Sequence, residues 1–231
     1  MENQNQVDDT ILQTFCGGFT GQAVPRALIE EVLSLARRAP SGVNTQPWNV
    51  FVLQGEARAK LVEAATCAVP GLVADANDQA AFWERFNRRP GTHNWPEEGP
   101  QQAGDECLSA AMLAIPHDRV RAQADLEHYF RFFDAPVGLL FTISRSLGSG
   151  SLMDYGMFLQ SLTLAARARG LCTRVQAGWK GLADIVLARL DAAEDKLLVC
   201  GMALGYGDAI QAPVNPPIDL PPVASFTTWH G

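Results

Sequence analysis

Residues 36–53 read ARRAPSGVNTQPWNVFVL, and this stretch holds Ser41, Gly42, Asn44 and Gln46 within six positions. Asn and Gln each pair an NH2 donor with a carbonyl acceptor. Gly lets a backbone approach a bound molecule closely. A dense polar run of this kind, caught between a helical pattern and a strand pattern, points to a binding loop rather than a plain connector. Other reactive side chains are less organised. The cysteines (Cys16, Cys67, Cys107, Cys172, Cys200) are odd in number, scattered, and form no CxxC pair. They read as reduced, mostly buried thiols and not as a disulfide frame or zinc site. Cys16, beside Gly17 and Gly18, is a candidate nucleophile. His93, His117, His128 and His230 show no metal-ligand spacing, so no metal is expected.

The elements that must position this loop follow from periodicity. Leu28, Ile29, Val32, Leu33 and Ala36 form one helical stripe over 25–39, with Pro25 suited to the first turn and Pro40 closing it. A strand is expected over 49–54 and a helix over 56–65. Trp48 is expected in the core at the strand start. Residues 70–116 read as an irregular excursion rich in Pro, Gly and Trp. A helix follows over 117–133. The continuous apolar run at 135–144 suits a strand covered on both faces. Residues 151–170 are apolar nearly all round and imply a central buried helix ended by Gly170. A strand at 171–176, a helix at 182–190 and a covered strand at 196–207 come next. A Pro-rich tail over about 208–231 reads as an extended arm that needs a partner to pack on. Interleaved strands and helices over 1–231 indicate a single domain, a three-layer α/β or α+β sandwich around one sheet.

Composition narrows the function. A net charge of −7 argues against nucleic acid or an anionic membrane surface as partner. No apolar run approaches the roughly 18–20 residues of a membrane span. The start MENQNQVDDT is polar and acidic, without the apolar stretch of a secretion signal, so a cytoplasmic protein is expected.

The loop APSGVNTQPW closely resembles the signature of the flavin-dependent nitroreductase family. The segments at 129–143, 151–171 and 196–208 are similar to that family as well, most of all to its nitrobenzoate-reducing branch. The resemblance implies a three-layer sandwich with a central mixed sheet flanked by helices, and an arm-exchanged homodimer. It also implies FMN as cofactor and NAD(P)H as reductant, with a small nitroaromatic or quinone-like acceptor reduced in ping-pong order. By the same resemblance Ser41, Gly42, Asn44 and Gln46 contact the ribityl chain and ring. Gln176, Ala177 and Gly178 then bring a backbone N–H to flavin N5. No side chain need act as general acid or base, and the catalytic residues are left unassigned. Phe82, Trp83, Phe86, Phe130 and Phe133 either wall the substrate site or simply pack.

The chain departs from the family at the phosphate. Gln13, Thr14, Phe15 and Gly17 stand where the family carries basic residues and a serine, and no Lys or Arg follows Lys196. Arg37, Arg38, Arg174 and Lys180 are the cations that could replace them, and Gly17-Gly18 could offer a backbone nest. Three readings follow: an FMN enzyme with a rebuilt phosphate site; a divergent relative that no longer holds FMN tightly and either acts on a planar aromatic, even a flavin, as substrate or runs a flavin-free reaction with Cys16 involved; or a non-catalytic aromatic-binding protein.

Overall fold

The computed structural model describes residues 18–75, 118–148, 150–207 and 222–230. Helix α1 (Arg26–Ala36) starts behind an extended Pro25 and buries Ile29, Val32 and Ala36 on one face. Strand β1 (Asn49–Leu53) leads into helix α2 (Gly55–Asp75). This helix runs through Pro70 to Asp75, so the first residues expected in the excursion are helical. Pro70 is tolerated because it sits on the exposed side while Leu61, Ala65, Val69 and Leu72 make the buried stripe. Helix α3 (Arg119–Phe130) is capped by Asp118, whose carboxylate accepts the Arg121 N–H at 3.0 Å. Strand β2 (Val137–Ser144), helix α4 (Gly150–Arg167), strand β3 (Leu171–Gln176), helix α5 (Ala183–Arg189) and strand β4 (Lys196–Tyr206) complete the frame.

Among the described residues the sheet order is β1-β2-β4-β3, and every pairing is antiparallel. The mixed sheet expected from the sequence is therefore not seen among them. The reason lies in where β4 goes. The α4 crossover leaves β2 and β3 running in the same direction, but β4 inserts between them and pairs antiparallel with both. Strand β2 is buried along its length. Val137, Leu139, Phe141 and Ile143 face α1 and α4, while Leu140 faces α2 and α3. Two apolar cores thus sandwich one sheet, which is the three-layer α+β arrangement expected. Gly138 and Gly201 have a specific place in it. A Cβ on Gly138 would collide with the Phe132 ring, and one on Gly201 with the Trp179 indole.

Candidate active site

The loop after α1 is a turn built against backbone preference. Val43, Asn44 and Gln46 have φ of 47°, 59° and 47°. Left-handed backbone costs roughly 1–2 kcal/mol for an ordinary L-residue. Asn tolerates it through local hydrogen bonds, and the β-branched Val43 does so least well. Local bonds hold the turn. The Ser41 hydroxyl oxygen accepts the Gln46 N–H at 3.0 Å, the Thr45 hydroxyl donates to the Gly42 carbonyl at 2.6 Å, and the Gln46 amide donates to Asn44 Oδ1 at 2.9 Å. The turn is exposed, with Val43 fully so. Asn44 Nδ2 and Gln46 Oε1 make no hydrogen bond among the described residues, which leaves a donor and an acceptor on this exposed turn.

Helix α4 supports this loop from beneath. The Gly42 N–H donates to both carboxylate oxygens of Asp154, each at 3.2 Å. The Tyr155 hydroxyl accepts the Asn49 N–H at 3.1 Å and donates to the Thr142 carbonyl at 2.9 Å. Burial pushes that hydroxyl well above the usual tyrosine range, so it stays a donor. Trp48 stacks on Phe158 at 4.8 Å with an 11° interplanar angle, which places it at the core edge as expected. Asp154 and Tyr155 were not singled out by sequence. A signal was present, since Asp154 is the lone charged residue from Ser151 to Ala166.

The turn after β3 belongs to the other layer. Gln176 is completely buried, and its amide NH2 donates to the Tyr129 carbonyl. The Tyr129 hydroxyl in turn accepts the Gly178 N–H at 2.8 Å. One tyrosine therefore grips the turn from both sides and leaves Ala177 exposed. Gln176 Oε1 and Trp179 Nε1 are buried without a hydrogen-bond partner among the described residues. The structure thus holds two groups, 41–46 on the α4 side and 176–178 on the α3 side. No hydrogen bond joins them among the described residues.

Phe130 and Phe133 are buried core residues rather than walls of an open site. The Arg174 guanidinium lies 3.8 Å over the Phe133 ring, on the same face of β3 as Gln176. Arg37 and Arg38 are exposed one turn before Ser41, and Lys180 is half-buried. Burial pushes the Cys200 thiol up to about 12, so it is no nucleophile at neutral pH. Gln13, Thr14, Phe15, Cys16, Gly17, Phe82, Trp83, Phe86, His93 and most of the tail lie outside the described residues. Among the described residues no helix is long and apolar enough to cross a membrane.

Comparison with known proteins gives a consistent result. Residues 18–206 match the Nitroreductase family. A nitrobenzene nitroreductase of Ectopseudomonas oleovorans is 35% identical over 213 residues, covering 92% of this chain and 91% of the relative. A 4-nitrobenzoate reductase of Pseudomonas putida is 37% identical over 190 residues, covering 82% and 80%. Among solved structures, the FMN-dependent nitroreductase NfnB from Mycobacterium smegmatis in complex with NADPH superposes with a TM-score of 0.76 at 28% identity, covering 99% of each chain.

Proposed function

The chain belongs to the nitroreductase family, and from that premise we propose that it is an oxidoreductase using FMN to carry reducing equivalents from NAD(P)H to a small aromatic acceptor, nitroaromatic or quinone-like. The names of its relatives support the acceptor class, and the FMN-dependent NfnB structure with NADPH supports the cofactor and reductant. The observation that carries the reading in this chain is the exposed left-handed loop 41–46. It has an unengaged amide donor and acceptor and a rigid helix beneath it.

The residues present suit a flavin. Ser41, Gly42, Asn44 and Gln46 supply mixed donors and acceptors for the ribityl chain and ring edge. Gln176, Ala177 and Gly178 form the second contact. Tyr129 holds the Gly178 N–H, and Ala177 is the exposed residue of this turn that can face the ring. Arg37, Arg38, Arg174 and Lys180 are described cations close in sequence to these two groups and are the candidates for the phosphate. When bound, FMN supplies the redox chemistry by accepting a hydride and returning it. The protein's part is to orient the ring, offer a donor at its reacting edge, and admit reductant and acceptor in turn to the same face.

The site is completed in a homodimer. Loop 41–46 and turn 176–178 lie in opposite layers of one chain, so a second copy is the natural way to bring them onto one ligand. Exposed Val43, Leu152 and Met153 near the loop, and exposed Phe226 and Trp229 in the tail, are surfaces for that contact. The dimer is tested by light scattering, where a mass near the 25.0 kDa of one chain contradicts it. A cytoplasmic setting fits the free thiols of Cys67 and Cys200.

Steady-state kinetics test the reaction. NAD(P)H consumption that requires a nitroaromatic and gives parallel double-reciprocal lines is expected. Intersecting lines would instead require both substrates on the protein together.

A further inference from the structure

Asp154 is a carboxylate, 7% exposed, and the one charged residue on its helix from Ser151 to Ala166. Burying a carboxylate is expensive unless hydrogen bonds replace its water. Here both oxygens share one donor, the Gly42 N–H, at 3.2 Å. What the carboxylate does is reach out of its own helix to the start of the loop.

Two neighbours on the same helix complete the pattern. Tyr155 ties Asn49 to Thr142, and Phe158 stacks on Trp48. Positions 154, 155 and 158 lie on one side of a helix. They hold the chain at Gly42, Trp48 and Asn49, the two ends of the segment that contains the left-handed residues Val43, Asn44 and Gln46. The clamp at Gly42 acts through the backbone bond and not through crowding. A Cβ at that position would sit in ordinary contact, 3.8 Å from Asp154 Oδ2. With the far end fixed by an aromatic stack and a buried hydroxyl, Asp154 is the polar contact that stops the near end from relaxing.

We propose that Asp154 is a positioning residue that holds loop 41–46 in its left-handed, ligand-ready form through the Gly42 N–H. The link to FMN rests on the reading of that loop as a cofactor loop. It does not touch the reacting atoms and acts by pre-organising Asn44 and Gln46.

The test compares Asp154→Ala and Asp154→Asn with the unmodified protein in two measurements. The first is amide hydrogen exchange of the flavin-free protein, read separately for 41–46 and for β2 and β4. The second is FMN affinity by fluorescence titration. In Asp154→Ala, exchange in 41–46 should rise about tenfold with β2 and β4 unchanged, and the FMN Kd should rise about tenfold, as expected for losing a hydrogen bond to a charged group. Asp154→Asn keeps an acceptor oxygen in place and should return both to within about threefold of the unmodified protein. Loop exchange in Asp154→Ala at the unmodified rate overturns the proposal. So does loosening spread equally over loop and sheet in both variants, or an unchanged FMN Kd despite faster loop exchange. If the unmodified protein takes up no FMN, the functional reading fails, while the exchange data still decide what Asp154 does for the loop.

Discussion

Apart from the single residue Asp191, left-handed backbone at residues other than glycine is concentrated, among the described residues, in two turns, and they sit in opposite surroundings. In one, Val43, Asn44 and Gln46 lie on the surface. In the other, Phe132, Phe133 and Asp134 have φ of 59°, 51° and 61°, and both phenylalanines are buried. The buried turn has an evident return within the fold. It aims Phe132 into the space left by Gly138 and onto the Trp179 indole at 4.6 Å, and it lays Phe133 beneath Arg174. The exposed turn recovers little by packing on its own chain. Its shape is kept by hydrogen bonds to Ser41, Asn44 and Asp154. Strain offset by burial is explained by folding. Strain held on the surface by polar bonds presents a binding surface.

Variants can break this contrast, and the largest effect belongs to the buried turn. Phe132→Ala should cost about 3–5 kcal/mol in denaturant unfolding, because it empties a fully buried site against Trp179. A loss no larger than that from an exposed loop substitution would mean the core does not depend on the turn. Next in size is Tyr155→Phe, which leaves the Asn49 N–H and the Thr142 carbonyl without their shared partner. It should cost about 1–2 kcal/mol and loosen β1 against β2. Val43→Gly goes the other way. Relief of left-handed strain at a fully exposed site should raise stability by up to ~1 kcal/mol, partly offset by the greater freedom of glycine when unfolded. A clear destabilisation would show that Val43 packs on something, and because one chain leaves it fully exposed, that would point to the partner copy.

The smallest effect is a pH dependence at the buried turn. Burial alone would raise the Asp134 carboxyl, but the Arg131 hydrogen bond and charge, with His128, outweigh it and hold the group below the usual carboxylate range. A depressed carboxylate contributes stability that is present above its unfolded value of 3.8 and lost as the pH falls below it. Thermal melts from neutral pH down through that range should therefore show a slightly steeper loss for the unmodified protein than for Asp134→Asn. The half-exposed side chain keeps the difference small.

Legibility in the sequence followed the kind of signal. The apolar run of β2 was readable because burial on both faces leaves a continuous apolar stretch, and the buried helix after residue 150 because its apolar residues recur at helical spacing. The length of α2 was not, because Pro70 reads as a breaker and only its place on the exposed face shows why the helix passes through it. The antiparallel sheet was not, because strand order depends on where β4 inserts, which no local pattern records. The loop 41–46 was legible as a motif, whereas its support was not. Asp154 and Tyr155 lie over a hundred positions away, and their role appears only once α4 is packed under the loop. The turn at 132–134 is the hardest case, since two phenylalanines are poor candidates for left-handed backbone and only Gly138 and Trp179 make it worthwhile.

The most direct test of the central claim, that loop 41–46 and turn 176–178 hold a working FMN, is a titration of the purified, flavin-free protein with FMN, followed by addition of NAD(P)H and then a nitroaromatic. The account predicts saturable, stoichiometric binding, bleaching of the flavin colour on adding NAD(P)H, and its return with the nitroaromatic in the absence of oxygen. Protein that leaves FMN free in solution, or holds it without any colour change through both additions, would contradict it.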